Sequence, residues 1–320
     1  MKRFTKVSGK CTLRNSTAVD VHQHLWPAQF IDALRMRTHR PRLDGWTLHL
    51  VGEPPCEVDP AAHDPAARAA LDPDLGRALV SLSSPLGIES LPPDEAAPLL
   101  DAWHKGALAL PDGFGAWSSV STAEPDLAGL KDLFGAGMVG LQLPATCLLT
   151  PGAVERVAAV LRVCELSDRP VLVHPGPVAA RAPGEPPLPA WWPAVVDYSA
   201  QLQAAWWSWQ AAGRALLPEL RICFVAGAGL GPVHHERFAA RGGDRRHVDP
   251  ETFVDTSSYG RTGIEALIRV LGIDPVVLGS DRPYAEPLWQ GGSSAPDFGA
   301  AARHAVRVSN PRRLLHGGRP

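Results

Sequence analysis

Residues 19–24, with the sequence VDVHQH, combine a short β-branched run with two histidines that are two positions apart. In an extended strand successive side chains point to opposite faces, so His22 and His24 share one face and Gln23 points away. Two imidazoles placed in this way can bind one metal ion. A His-x-His pattern is weak in a chain with 12 histidines, so its interpretation depends on the rest of the sequence.

The chain alternates short apolar runs with longer stretches of helical periodicity. This alternation is typical of repeated βα units, and eight such strands are what a closed barrel requires. We therefore predict an α/β fold, a (β/α)8 TIM barrel. The predicted strands are Ala18–His22, Ala78–Ser83, Phe114–Val120, Met138–Leu143, Val171–His174, Ile222–Ala226, Thr252–Asp255 and Val276–Gly279. The predicted helices are Pro93–Ala109, Asp126–Phe134, Gly152–Leu166, Trp191–Leu217, Pro232–Arg241 and Arg261–Leu271, followed by a closing stretch, Phe298–Val308.

Two insertions extend this minimal barrel, one after strand one and one after strand five. Residues 26–77 include the alternating segment WTLHLV at 46–51, which predicts a hairpin, and residues 176–193 are rich in Pro and Gly. Both insertions follow strand C-termini, the face on which barrel enzymes carry out their chemistry. We interpret residues 1–320 as a single barrel domain with the 26–77 insertion over its mouth.

The composition favours a small-molecule partner. The net charge of −2 provides no concentrated basic charge for nucleic acid or an anionic membrane. The five cysteines are scattered without a Cys-x-x-Cys pair, and no stretch reaches the roughly 18 apolar residues of a membrane span. We expect a cytoplasmic protein; a homodimer is left open.

Two further residues stand at predicted strand ends. His174 closes the run VLVH at 171–174, and Asp281 follows VVLGS at 276–280. On one rim of a barrel these side chains meet His22 and His24, and three histidines with one carboxylate suit a catalytic zinc ion. The alternative is that His174 is a core histidine and Asp281 a turn residue.

With these motifs the chain resembles the amidohydrolase-2 group of the amidohydrolase superfamily, which includes aminocarboxymuconate-semialdehyde decarboxylase. The matching segments are DVHQH at 20–24, VLVHPG at 171–176, FVDTS at 253–257, LGSDRPY at 278–284 and NPRRLL at 310–315. The resemblance implies a metal-dependent barrel in which His22, His24, His174 and Asp281 surround one divalent ion. We expect Zn²⁺, with Mn²⁺ as the alternative.

One departure from the family concerns the residue that handles protons. Strand six of the family ends in a histidine, but Ala226 stands at that place here, and an alanine transfers no proton. His234 is a candidate catalytic substitute or else a surface histidine. Asp281 is the second candidate, because a carboxylate that touches both metal and water can accept the water's proton.

Two residues are candidates for substrate binding. The guanidinium of Arg282 can clamp a substrate carboxylate or form a structural ion pair. Trp26 can line an aromatic pocket or pack in the core. The sequence thus predicts a metal-dependent hydrolase or non-oxidative decarboxylase of a small carboxylated or cyclic compound. The rival hypothesis is a barrel that has lost catalysis and keeps metal or ligand binding; Ala226 supports it, and retention of all four presumed ligands opposes it.

Overall fold

The computed structural model describes residues 18–180, 182, 184–186, 188–244, 249–286 and 299–318. Its central feature is a set of eight parallel strands that follow one another along the chain. We number them β1 to β8: Val19–Gln23, Arg77–Val80, Phe114–Ala116, Leu141–Pro144, Val171–His174, Ile222–Phe224, Thr252–Asp255 and Val276–Val277.

The strands pair in sequence order and close on themselves. β1 to β3 form one run of parallel pairs, and β4 to β8 form a second. A parallel bridge between Ser118 and Leu141 joins β3 to β4, and the Val21 amide donates to the Leu278 carbonyl at 2.8 Å, which joins β8 to β1. The predicted barrel is confirmed, and each of its eight strands was anticipated in place.

Several strands are shorter than predicted at their C-terminal ends. β6 stops at Phe224, and the chain then enters a turn in which residues 226–230 all have positive φ, from 45° to 61°. The hydrogen-bonded strands end where the chain turns toward the barrel mouth, but the apolar runs continue past that point. Strand ends predicted from apolar runs therefore lie beyond the observed ones. The consequence at β6 is that Ala226 lies in the turn and not in the strand.

The helices follow the predicted order with changed boundaries. The stretch expected as one helix over Trp191–Leu217 is a continuous helical segment over 193–216 that contains two π-helical turns, Pro193–Asp197 and Trp209–Gly213. The closing stretch is helical over 299–316, while Phe298 lies outside the described residues. The α-helices are Ala28–Arg35, Pro65–Ala70, Pro93–Leu108, Leu127–Ala136, Pro151–Arg156, Ala158–Leu166, Tyr198–Ser208, Arg214–Leu216, His235–Ala239, Arg261–Leu271, Gly299–His304 and Asn310–His316. Within the described ranges, none of them is long and apolar enough to cross a membrane.

The insertion after β1 is more helical than predicted. Its hairpin is confirmed, with Arg42–Asp44 antiparallel to Thr47–His49 and a third short strand at Cys56–Glu57. The helix Ala28–Arg35 was not anticipated; it buries Phe30 and its apolar neighbours against the helix Pro93–Leu108, with the rings of Phe30 and Trp103 5.8 Å apart. The contact anchors the start of the insertion to the barrel exterior.

Candidate metal centre

Three imidazoles and one carboxylate converge at the C-terminal ends of β1, β5 and β8. The Nε2 atom of His24 lies 3.1 Å from that of His22 and 3.1 Å from that of His174. The Oδ1 atom of Asp281 lies 3.2 Å from His24 Nε2 and 3.5 Å from His22 Nε2. One ligand atom from each of the four residues falls within 4.8 Å of all the others.

The other nitrogen of each ring is held by a hydrogen-bond acceptor. Nδ1–H of His22 donates to Asp255 Oδ2 at 2.8 Å, that of His24 to the Ser81 carbonyl at 3.0 Å, and that of His174 to the Pro175 carbonyl at 2.9 Å. Carbonyls and carboxylates only accept, so each Nδ1 carries the proton. In the neutral rings Nε2 is therefore a lone-pair donor, and all three lone pairs point at one another.

This arrangement fits a divalent ion. Unprotonated nitrogens 3.1 Å apart repel each other and cannot hydrogen-bond, whereas a shared cation satisfies all of them. Metal–nitrogen bonds of about 2.0–2.1 Å in tetrahedral geometry imply ligand separations of about 3.3–3.4 Å. The separations in four of the six pairs of ligand atoms, 3.1 to 3.5 Å, bracket that value.

The electrostatics of the cluster favour neutral imidazoles at His24 and His174 and an ionised carboxylate at Asp281. Burial lowers the pKa of His24 and His174. Burial also acts to lower the pKa of His22, but the carboxylates of Asp255, Asp281 and Asp20 together outweigh it and the pKa is raised. For Asp281, burial acts to raise the pKa, but the adjacent imidazoles of His24, His22 and His174 outweigh it and the pKa is lowered.

Asp255, at the end of β7, contacts the cluster through His22 and was not among the residues predicted from the sequence. Its side chain is fully buried, and its Oδ1 accepts from the Ala226 amide at 2.7 Å and from the amide and hydroxyl of Ser257 at 3.0 and 2.6 Å. With Oδ1 engaged in this way, Oδ2 is directed at His22. Such outer hydrogen bonds orient a metal ligand and set its tautomer. The available signal was the segment FVDTS at 253–257, which places a carboxylate at a strand end.

The four converging side chains line a cavity of about 310 Å³. Most of the remaining wall is apolar, and four of its residues, Leu48, Leu50, Glu53 and Cys56, come from the insertion after β1. Of the described residues that line this cavity, none is a lysine or an arginine. Its other polar residues are Ser83, Tyr198, Ser199, Ser257, Ser258, Tyr259 and Tyr284.

Comparison with known proteins finds solved structures of similar fold. No family model matches the chain, and no curated protein matches it. Among the solved structures that match, three do so over nearly their whole length. IDCase from Metarhizium anisopliae has a TM-score of 0.71 at 18% identity, covering 94% of this chain and 97% of that chain. The 5-carboxyvanillate decarboxylase from Novosphingobium aromaticivorans, complexed with manganese and 4-hydroxy-3-methoxy-5-nitrobenzoic acid, has 0.66 at 16%, covering 95% and 97%. The 2,6-dihydroxybenzoate decarboxylase from Rhizobium has 0.63 at 16%, covering 93% and 98%.

The chain shares the fold of these proteins. The resemblance drawn from the sequence motifs is thereby confirmed as a resemblance in fold.

Ala226 lies on the wall of the cavity, in the turn after β6 and not at the strand end where the sequence placed it. Its φ of 45° lies in the left-handed region, a backbone conformation that is unfavourable for residues other than glycine. Its amide donates a hydrogen bond to Asp255 Oδ1. The side chain offers no proton donor or acceptor.

His234 lies outside the site. It is exposed and lines a separate cavity with Trp207, Arg237, Phe238 and Arg241. The reason is the turn after β6, which carries the chain away from the cavity before the helix His235–Ala239 begins. The geometry does not support its assignment as a catalytic residue.

Arg282 and Trp26 also lie outside this cavity. Arg282 is buried, and its guanidinium donates to Glu286 at 3.2 and 3.3 Å, which is the structural ion pair considered as the alternative. Trp26 is 1% exposed; its indole N–H donates to Ser83 Oγ at 3.2 Å and its ring stacks on His63 at 4.7 Å. Neither residue lines the cavity beside the four converging side chains, so neither is placed to contact a substrate there.

Tyr284, which was not among the predicted site residues, lines the cavity beside His24. Its ring lies 5.2 Å from that of His24, and its hydroxyl is 3.3 Å from Ser83 Oγ. It follows Asp281 by three residues, so the segment LGSDRPY at 278–284 carries both a cluster residue and part of the cavity wall.

Proposed function

We propose that this chain is a metal-dependent enzyme that removes the carboxylate of a small aromatic or cyclic acid as CO2. His22, His24, His174 and Asp281 would hold one divalent ion. The single observation that carries the proposal is the convergence of three Nε2 lone pairs, each ring being held by a hydrogen bond at Nδ1. A divalent ion at that point would bind an anionic oxygen and stabilise negative charge that develops on the substrate.

The shape and polarity of the cavity support decarboxylation. A volume of about 310 Å³ accommodates a substrate of about one ring. The mainly apolar wall weakens the solvation of a bound carboxylate, and loss of CO2 disperses that charge. Since the described wall contains no lysine or arginine, the ion would be the group that holds a substrate carboxylate. The two decarboxylases named above act on aromatic acids with a single ring.

Hydrolysis is the second candidate, and Asp281 is the residue that favours it. Its carboxylate adjoins the metal position, and its lowered pKa keeps it ionised at neutral pH, so it can accept the proton of an attacking water. The substrate would then be a small cyclic ester or amide. In both reactions the partner is a small molecule.

The donor set of three imidazoles and one carboxylate is typical of zinc, so we propose Zn²⁺, with Mn²⁺ as the alternative. Metal analysis of protein purified without chelators tests the site. We expect about one equivalent of metal in the wild type and nearly none after His22→Ala combined with His24→Ala. The matched control is His234→Ala, which removes an imidazole outside the cavity and should retain the metal. Equal metal content in all three proteins would contradict the proposal.

Activity is then measured on metal-loaded protein, reconstituted separately with Zn²⁺ and Mn²⁺. 2,6-Dihydroxybenzoate and 5-carboxyvanillate serve as decarboxylation probes, and small lactones and amides as hydrolysis probes. Turnover of the acids supports the first candidate and turnover of the lactones or amides the second. A protein that binds metal and turns over none of them favours a binding role for the barrel, the outcome to which Ala226 points.

A further inference from the structure

The cavity must supply a proton if it releases CO2, because the electron pair of the broken bond stays on carbon. Beyond the four metal-site residues, its described wall offers five titratable side chains: Glu53, Cys56, Tyr198, Tyr259 and Tyr284. Glu53 is the only carboxyl group among them. Phenols and thiols are weak acids at neutral pH, so Glu53 is the strongest candidate donor.

The backbone conformation of the preceding residue fixes the position of Glu53. Gly52, the preceding residue, has φ +79°, a conformation that favours glycine. A Cβ atom at Gly52 would lie 2.7 Å from the Val178 carbonyl oxygen and 2.8 Å from that of Ala179. The turn of the first insertion is therefore packed directly against the segment that follows β5.

The side chain of Glu53 is held by a tyrosine at the start of the helix that follows the second insertion. The hydroxyl of Tyr198 donates to Glu53 Oε1 at 2.5 Å. Tyr198 begins the helix Tyr198–Ser208, whose first turn packs on the turn after β6; a Cβ atom at Gly229 would lie 2.5 Å from the Ser199 carbonyl oxygen. The helix that carries Tyr198 is therefore packed on the turn that contains Ala226.

The surroundings of Glu53 raise its pKa above the ordinary value of a glutamate. Burial raises the pKa of Glu53, the hydrogen bond from Tyr198 lowers it, and the charge of Asp197 raises it. Cys56, on the same insertion, is the other titratable group that interacts with it. With Oε1 accepting from Tyr198, Oε2 remains to carry a proton.

We propose that Glu53 is the general acid of this cavity, positioned by Tyr198, and that it supplies the proton-transfer function that Ala226 lacks. This inference rests on the proposed decarboxylation. The bond between ring carbon and carboxylate breaks, CO2 leaves, and the ring carbon takes its proton from Glu53. The resulting carboxylate regains a proton from water, so the net reaction consumes one proton per CO2 released.

Two measurements test the proposal on the full-length metal-loaded protein. The first is infrared difference spectroscopy of wild type against Glu53→Gln, which isolates the Glu53 signal from other buried acids such as Asp20 and Glu89. We expect a protonated carboxyl band that titrates above the ordinary glutamate pKa of about 4.3. In Tyr198→Phe the band should persist to higher pH, because a hydrogen bond that lowers the pKa has been removed. An ionised Glu53 throughout that range would overturn the proposal.

The second measurement is kcat on 2,6-dihydroxybenzoate and 5-carboxyvanillate. Glu53→Gln should lose about 10²- to 10⁴-fold in kcat with unchanged metal content. Glu57→Gln is the matched control, since Glu57 is exposed, belongs to the same insertion and hydrogen-bonds Thr47 outside this cavity. Full activity of Glu53→Gln would refute its role as acid. A wild type that binds metal and turns over neither compound would contradict the proposed decarboxylation, and the infrared titration alone would then decide the state of Glu53.

Discussion

Replacing Asp255 with asparagine should invert the tautomer of His22 without changing the size of any side chain. Asp255 receives three hydrogen bonds at Oδ1, from the Ala226 amide and from the amide and hydroxyl of Ser257, and one at Oδ2, from His22 Nδ1. All four partners are donors. An asparagine side chain has only one oxygen. Placed at the Oδ1 position, that oxygen accepts from three donors, whereas at the Oδ2 position it accepts from one. The oxygen therefore takes the Oδ1 position, and the NH2 group faces His22.

That orientation changes which nitrogen of His22 carries the proton. The amide NH2 donates to Nδ1, so Nδ1 must be unprotonated and the proton moves to Nε2. Nε2 then points an N–H group at the place of the ion and can no longer act as a ligand. Loss of such an outer hydrogen bond costs about 10- to 100-fold in metal affinity, equivalent to about 1.4–2.7 kcal/mol.

Competition with a chromophoric chelator measures this difference as a ratio of dissociation constants for Zn²⁺. Asp20→Asn is the control: Asp20 is also buried beside His22, but its oxygens accept from backbone amides and from Gln23 and contact no imidazole ring. We expect its Zn²⁺ affinity to stay near that of the wild type. If Asp255→Asn binds Zn²⁺ within twofold of the wild type, Asp255 does not set the tautomer of His22 and this reasoning is wrong.

Two further predictions concern the packing and the pH dependence of the fold. In Gly279→Ala the new methyl group would lie 2.3 Å from Asp255 Oδ2, so we expect weaker Zn²⁺ binding together with a loss of about 1–3 kcal/mol in unfolding free energy, measured in urea. Gly135→Ala, which meets nothing within 4 Å, is the control and should bind Zn²⁺ normally. Burial lowers the pKa of His104 to about 4, and its Nε2 accepts from the Ser119 amide at 3.1 Å. Since an unfolded histidine has a pKa of about 6.5, protons bind the unfolded chain preferentially below that pH. About 3 kcal/mol of stability should therefore be lost as the pH falls from 6.5 to 4. His104→Gln, whose amide oxygen can accept the same bond, should remove that part of the pH dependence, and parallel loss in both proteins would show that His104 does not cause it.

The elements that the sequence predicted well are those decided by local pattern. The eight strands were located because a strand buried on both faces is a short apolar run between turns. The meeting of His22, His24, His174 and Asp281 was also predictable, since the C-terminal ends of parallel barrel strands share one rim however far apart they are in the chain.

The elements that were missed or misplaced depend on how loops turn and on which loops meet. His234 follows the barrel strand β6 closely, yet a turn of consecutive positive φ values directs it outward. Arg282 adjoins Asp281 but points to Glu286, because neighbouring residues at a turn face different directions. The contact between Glu53 and Tyr198 joins the insertion after β1 to the helix Tyr198–Ser208 across 145 residues, and no periodicity in either segment indicates it.

The amino-acid sequence by itself determined the parallel barrel and the residue types at its rim, because strand periodicity and the position of a residue at a strand end are local properties. Tertiary structure alone decided which carboxylate holds His22, which acid faces the cavity and which histidine is excluded from it. Those outcomes depend on side-chain directions at the ends of strands and in long loops, where a small change in backbone dihedral angles redirects a side chain by several ångströms.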